Sequence, residues 1–277
     1  MYFMDNKAEK IVSKYYNTYG WRTKNGITED ALKQEDLREC AKDYVSKCRL
    51  KVLKYIPKSG ETILDMASGP IQYREYLEYS KNFKKRYCVD LSESALEMAK
   101  EKIGDHGVFM NGSFLDMDIE KNFFDCSISL HTIYHIDKDE QEGAVRKLID
   151  VTKSGQPIII VYSNPRTPIT RFITLPFRIL RRIKFIFKKL SGKIKPEKDT
   201  TGLYFYPHPI KWWDRFNDVS NVKIMPWRAF ASDEQKWLIP DNKIGKVIFN
   251  ILFDLEEKFP SFFVKYFKYP MIILTKK

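Results

Sequence analysis

Cysteine is scarce in this chain: four in 277 residues, at Cys40, Cys48, Cys88 and Cys126, with no C-x-x-C spacing. That count is too low for a disulfide scaffold and the spacing is wrong for a zinc knuckle, so reduced thiols are expected. Histidine is equally rare, with four in the chain. No apolar run reaches the roughly 18 to 20 uncharged residues that a membrane span requires. The N-terminal "MYFMDNKAEK" does not follow the charged-then-apolar pattern of a secretory signal. A cytoplasmic location is therefore the expectation. Acidic residues are missing altogether between Arg166 and Lys195, where ten Lys or Arg stand. The net charge is +12, so this one segment holds most of the excess and the remainder is nearly neutral. A protein that grips nucleic acid along a broad face would spread its charge more widely, and no specific nucleic-acid partner is expected. Apolar material is plentiful: 43% hydrophobic and 14% aromatic residues are enough for a substantial core.

Helical periodicity marks "KAEKIVSKYYNTYGW" (7–21) and "EDLRECAKDYVSKCRLKVLKYI" (35–56). Strand-like and helical stretches then alternate. "TILDMA" (62–67) precedes a turn and a helical 71–80, and "RYCVDL" (86–91) precedes a helix opening at Ser92. "GVFMNGSF" (107–114), "FFDCSISLH" (123–131), a helix over 137–155 and the apolar "PIIIVYS" (157–163) follow. Strands so continuous in Val, Ile, Leu and Phe, separated by helices, predict a parallel sheet covered on both faces. Beyond an insertion near 164–205, the chain offers a helix over 208–218, a strand over 221–230, a helix over 243–267 and a terminal strand over 269–277. The last strand can lie antiparallel among the others.

In such a sheet, ligands bind at the carboxyl ends of the strands. Asp65 ends the first strand and Asp90 the second, 25 residues later, which is the length of one βαβ unit. A small-residue turn after the first strand and an acid after the second suit a nucleoside, the acid accepting hydrogen bonds from ribose hydroxyls. The turn is Ala67, Ser68, Gly69, Pro70, without the G-x-G-x-x-G of a dinucleotide site. Asp65 would also repel a phosphate, so a cofactor with an ammonium group suits the turn better.

At these residues the chain resembles the class I S-adenosylmethionine-dependent methyltransferases. "TILDMASGP" is similar to the first motif of that family and "YCVDLSESALEMAK" to the second. "FMNGSFLDMDIEKNFFDCSISLHTIYHI" is similar to the third and fourth, and "LIDVTKSGQPIIIVYS" to the usual helix, glycine turn and fifth strand. The resemblance covers roughly residues 50–163. It implies an α/β, Rossmann-like, seven-stranded and mostly parallel sheet with helices on both faces, S-adenosyl-L-methionine as cofactor, and methyl transfer as the activity. It also implies that Asp65, Ala67 and Gly69 face the methionine end, Asp90 and Leu91 the ribose and adenine, and Ser113 and Phe114 the adenine edge. Ala67 and Ser68 depart from the usual glycine and small residue, Pro70 shortens the glycine pattern, and Ser113 stands where an acid is commonest. In similar enzymes an N-terminal helix closes over the cofactor, a role open to Tyr16 and Trp21; Tyr15, Tyr16, Tyr19 and Trp21 also read as plain core aromatics.

Methyl transfer to a hydroxyl needs positioning and a base. The candidates are His131, at the end of the fourth strand, and then His135; His208 is a more distant third. The pair could alternatively pack under the cofactor and cap the next helix. A metal at this i, i+4 pair is not expected, because no Cys or third His clusters with it.

Residues 171–190, "RFITLPFRILRRIKFIFKKL", place apolar side chains at intervals of three and four with Arg and Lys between them. This predicts a basic amphipathic helix of the kind that lies on an anionic membrane. A lid helix packed on the core, a phosphate-contacting patch and a cap over the acceptor pocket are the competing readings. The expected organisation is one domain over 1–277: a helical cap (1–57), a cofactor-binding core (58–163), the basic insertion (164–205) and an acceptor-shaping C-terminal part (206–277). The expected activity is O-methylation of a small-molecule, lipid- or quinone-like, or glycan acceptor, with peripheral membrane contact through 166–195. The alternatives are a non-catalytic membrane-surface protein of the same fold and, further off, a nucleic-acid methyltransferase.

Overall fold

The computed structural model describes residues 7–191 and 202–277. It opens with helix α1 (Lys7–Tyr15), which widens into a π turn at Tyr16–Gly20. A two-residue hairpin, β1 (Thr23–Lys24) and β2 (Ile27–Thr28), leads into α2 (Glu29–Gln34), whose first turn is capped by Thr28, and then α3 (Glu39–Leu50). The alternating part is β3 (Gly60–Met66), β4 (Phe83–Asp90), α4 (Glu93–Ile103), β5 (Gly107–Asn111), β6 (Cys126–Leu130), α5 (Gln141–Val151) and β7 (Pro157–Val161). After β7 come α6 (Pro168–Ile173) and α7 (Leu175–Leu190), then β8 (Ser220–Arg228), α8 (Ser232–Leu238), α9 (Lys243–Lys258), α10 (Pro260–Tyr266) and β9 (Tyr269–Lys276).

Seven strands form one sheet in the order β5-β4-β3-β6-β7-β9-β8. All neighbours among the first five are parallel, and β9 runs antiparallel to both β7 and β8. This is the Rossmann-like mixed sheet, including the inverted final strand, that the sequence predicts. The apolar run of β7 has a direct cause: Ile158 and Ile160 pack into the cluster with α5 and Trp213, while Ile159 and Val161 pack into the cluster on the opposite face with Val52 and Tyr79. A strand covered on both faces has no polar side to present. All four cysteines are buried free thiols.

Several boundaries differ from the expectation, each for an identifiable reason. The segment after the β3 turn forms only a 3-10 helix, Arg74–Ser80, and Arg86 Nη1 donates to the Tyr76 carbonyl at 2.6 Å, which an α-helix would use internally. Strand β5 stops at Asn111 because Gly112 turns at φ +139° and donates its amide to the Asp90 carbonyl. The long C-terminal helix breaks at Phe259–Pro260, where the proline has no amide to continue the ladder and instead opens α10.

The basic amphipathic helix is present, divided at Thr174 into α6 and α7. Among the described residues α7 is anchored along one edge: Phe177 stacks on Trp237, Arg178 pairs with Glu234 at 3.5 Å and Arg181 with Asp233 at 3.6 Å. Its other described apolar side chains are exposed, Phe187 at 67% and Leu180 at 54% among them. Residues 192–201 of the expected insertion lie outside the described residues.

Candidate active site

A cavity of about 430 Å³ opens along the carboxyl edge of the sheet, from the β4 side across to the β8 side. Its first wall is the turn after β3. Ala67 and Gly69 both adopt left-handed backbone, φ +57° and +54°, and line the cavity. Alanine tolerates this conformation at a cost of order 1 kcal/mol, so the departure from glycine at 67 leaves the path of the turn intact. A Cβ at Gly69 would come within 3.1 Å of the Trp21 ring, so any larger residue would have to push that ring aside by a few tenths of an ångström.

Asp90 closes β4 against this turn. Its Oδ2 accepts from the Gly69 amide and its Oδ1 from the Ser92 amide, each at 2.8 Å. Burial pushes its carboxyl up to about 6, while these amides oppose the shift. Leu91 lines the same wall and Phe114 forms a buried flank. Tyr16 stacks on Trp21 with centroids 4.7 Å apart, and both roof the cavity over Gly69. The Trp21 Nε1 is buried and without a hydrogen-bond partner.

Two expected contacts look different in three dimensions. Asp65 lines the cavity but its Oδ2 is held by Arg86, through Nε at 3.1 Å and through Nη2. Arg86 is completely buried, so much of the Asp65 charge is spent on a structural ion pair that nothing in the spacing of 65 and 86 announces. Ser113 does not line the cavity; its hydroxyl donates to Glu9 Oε1 at 2.6 Å. Glu9, on α1, does line it, and burial raises its carboxyl above the usual range. A carboxylate thus reaches the edge where the resemblance expects one, from a distant part of the chain.

His131 and His135 both face the cavity. His131 follows β6 in left-handed backbone, φ +61°, with its amide on the Val161 carbonyl at 2.9 Å. That bend turns its ring onto Trp227 and Tyr269, and its Nδ1 lies 3.0 Å from the Tyr134 hydroxyl. Burial holds His131 well below the ordinary histidine range. His135 Nδ1 lies 2.6 Å from the Tyr204 carbonyl. A carbonyl can only accept, so Nδ1 carries the proton and Nε2 keeps its lone pair. Burial lowers His135 to about 4 against the effect of that carbonyl, so it is neutral at neutral pH. His208 is elsewhere: it stacks on Trp212 at 4.6 Å and does not line the cavity. Among the described residues there is no group of three or more His, Cys, Asp or Glu able to hold a metal.

The returning end of the insertion covers the site. Leu203 and Phe205 line it, and the Tyr206 amide bonds the Tyr134 carbonyl at 2.8 Å. Among the described residues no α7 side chain takes part. Asp30, Ser163, Arg228, Lys268 and Tyr269 also line the cavity, and sequence reasoning passed over all five. The only signal was positional: Ser163, Arg228 and Tyr269 stand at the ends of expected strands. Burial together with Glu35 raises Asp30 to about 6.

Residues 64–160 match the model of a family described as a methyltransferase domain. An uncharacterized methyltransferase of Geobacillus sp. (strain WCH70) is 26% identical over 103 residues, which cover 37% of this chain and 47% of that protein. The ubiquinone/menaquinone biosynthesis C-methyltransferase UbiE of Pseudomonas paraeruginosa is 30% identical over 118 residues, 39% of this chain and 44% of its own. The chain spans about half the length of the curated relatives it matches. Among solved structures, geranyl diphosphate C-methyltransferase from Streptomyces coelicolor A3(2), in complex with Mg2+, geranyl diphosphate and S-adenosyl-L-homocysteine, aligns over 99% of both chains with a TM-score of 0.56 at 13% identity. Magnesium protoporphyrin IX methyltransferase from Synechocystis PCC 6803, with S-adenosylmethionine bound, aligns over 98% of this chain and 97% of its own, with a TM-score of 0.53 at 12% identity. These two likenesses concern the fold alone. The segment from Leu64 to Ile160 thus matches a methyltransferase domain, and it lies on a seven-stranded sheet of the kind the resemblance to class I S-adenosylmethionine-dependent methyltransferases implies.

Proposed function

We propose that the chain transfers a methyl group from S-adenosyl-L-methionine to a hydroxyl of a small acceptor that is lipid-like, quinone-like or a glycan. The observation that carries this reading is the juxtaposition of Asp90 with the Gly69 turn under the Tyr16–Trp21 roof. The residues fit the cofactor. Asp90 offers a carboxylate to two ribose hydroxyls, Gly69 leaves room that a Cβ would crowd against Trp21, and Glu9 and Phe114 supply an acid and a flat apolar flank for the adenine. The Trp21 Nε1 is an unspent donor in the same roof.

When bound, the cofactor supplies an electrophilic methyl group. The chain orients the acceptor beside it and excludes water, through Trp21 and Tyr16 on one side and Phe205 on the other. His135 is the better-placed base, because the Tyr204 carbonyl fixes the tautomer that leaves Nε2 free. His131, wedged among Trp227, Tyr269 and Tyr134, shapes the wall next to it.

Incubation of the purified chain with methyl-labelled S-adenosylmethionine and an extract of its native cells tests the activity. Label is expected in the organic phase for a lipid- or quinone-like acceptor and in the aqueous phase for a glycan, and label in neither phase would leave the non-catalytic alternative standing.

Membrane contact is the second element of the reading, favoured by the exposed apolar face of α7 among cations that no acidic residue of 166–195 balances. Vesicles containing an anionic lipid are expected to retain the chain at low salt and release it at high salt. The triple change Arg182→Glu, Lys184→Glu, Lys188→Glu should abolish retention, since each basic residue near such a surface contributes about 1 kcal/mol. Equal retention of the variant and the unaltered chain would refute contact through α7. Among the described residues no helix is long and apolar enough to cross a membrane.

A further inference from the structure

The β8 side of the cavity is built unlike the β4 side. The antiparallel pairing of β7 with β9 continues past Val161, because the Tyr162 amide bonds the Pro270 carbonyl at 2.9 Å and the Asn164 amide bonds the Lys268 carbonyl at 2.7 Å. That register sets Ser163 opposite Tyr269, and Arg228 pairs with Tyr269 from the other side. Residues opposite one another in antiparallel strands present their side chains on one face. Ser163, Tyr269 and Arg228 therefore form a row across three strand ends, and all three line the cavity.

Two donors in this row, the Ser163 hydroxyl and the Arg228 Nε, are unspent. Ser163 is completely buried and its Oγ has no hydrogen-bond partner. Arg228 is 2% exposed; its Nη1 donates to Glu35 at 2.9 Å, while its Nε has no partner. A buried donor left unmade costs about 1–3 kcal/mol, a cost that a ligand oxygen would remove. Glu35 does not cancel Arg228, because it is also paired with Arg49 at 3.3 Å. Lys268 adds a second cation to the cavity wall and forms no ion pair among the described residues. Burial lowers its ammonium; Glu234 opposes this, while Arg171 and Arg178 act in the same direction as burial. The carboxylates Asp65 and Asp90, which suit a cationic cofactor, lie on the other side in strand order.

The geometry points to an oxyanion subsite formed by Ser163, Arg228 and Lys268, so that the methyl acceptor carries a carboxylate or phosphate group held at the β8 side of the cavity. This rests on the proposed cofactor placement, because it assigns the remaining half of the same cavity to the acceptor. The guanidinium and the hydroxyl supply directed donors and the ammonium supplies charge, the combination that recognises a carboxylate or phosphate oxygen. A neutral acceptor would leave two buried donors unmatched.

The test is a calorimetric titration of the full chain with inorganic phosphate and, separately, with acetate, at ionic strength matched with chloride. Each is run with and without saturating S-adenosylhomocysteine, whose own affinity is measured first. Saturable binding of at least one anion is expected, and the anion bound more tightly identifies the acceptor group. Ser163→Ala and Lys268→Gln should each weaken that binding at least about tenfold, the loss of one charge-assisted or buried hydrogen bond. Their S-adenosylhomocysteine affinity should stay within about twofold of the unaltered chain, under half a kcal/mol. Removing the Ser163 hydroxyl opens no large cavity, so this variant keeps the test decisive if changes at Lys268 disturb packing. No saturable response to either anion, or equal binding by both variants, overturns the subsite. Failure of S-adenosylhomocysteine to bind overturns the cofactor reading instead, while the cofactor-free anion titrations still decide the subsite.

Discussion

Replacing Asp90 with Ala is expected to weaken S-adenosylhomocysteine binding by at least about 100-fold. The proposed contacts are two hydrogen bonds from ribose hydroxyls to a carboxylate, each contributing about 1.5–3 kcal/mol, and 1.4 kcal/mol is a factor of ten. Titration calorimetry on the variant, after a thermal melt confirms that it folds, measures this directly. The prediction has a second, independent arm in pH. Burial sets the Asp90 carboxyl at about 6. The ribose hydroxyl donors prefer the ionised carboxylate, so affinity should rise as pH increases through about 6 and level off above it. In Asp90→Ala the part of that rise due to Asp90 should disappear. Asp30 titrates in the same range, so a residual step in the variant belongs to it. Undiminished binding by the variant would mean that Asp90 serves only to tie the Gly69 and Ser92 amides together.

His135→Gln should lower methyl transfer by about 10²–10⁴-fold with S-adenosylhomocysteine affinity unchanged, the range for removal of a positioned base. The contrast with Asp90 is the informative feature: one change removes binding and the other removes turnover. The pH profile separates them further. His135 lies at about 4 because it is buried, so no histidine step near 6.5 is expected in kcat/KM. The acid limb near 6 belongs to the carboxylates and should persist in whatever activity His135→Gln retains. Turnover within about tenfold of the unaltered chain would show that positioning alone carries the reaction, since orientation can supply several kcal/mol by itself. Glutamine offers an amide of similar reach to the Tyr204 carbonyl, so the loop over the site should keep its anchor.

The sheet was legible in the sequence because its signals are local. A run such as Ile158-Ile159-Ile160-Val161 can be apolar on every side only where both faces are covered, and five such segments in series leave few alternatives to a parallel sheet. Asp90 and the Gly69 turn were legible for the same reason, being bound to strand ends by spacing alone. Pairings between distant residues were not. Asp65 and Arg86 meet because β3 and β4 are neighbours, and Ser113 meets Glu9 because α1 folds over the sheet. The membrane-like periodicity of α7 was visible, but that its apolar face stays exposed is a fact about which surface had room for it.

By itself the sequence determined the class of fold, the inverted last strand as an option, and the strand-end residues proposed here to hold the cofactor. It did so through patterns that a chain carries locally: alternation, turn chemistry and the βαβ interval. Tertiary structure alone decided which acids keep their charge available, which histidine has its tautomer fixed, and that Ser163, Arg228 and Lys268 line one cavity. Those outcomes depend on register and burial between segments up to about a hundred residues apart, and neither is encoded in any short stretch of the chain.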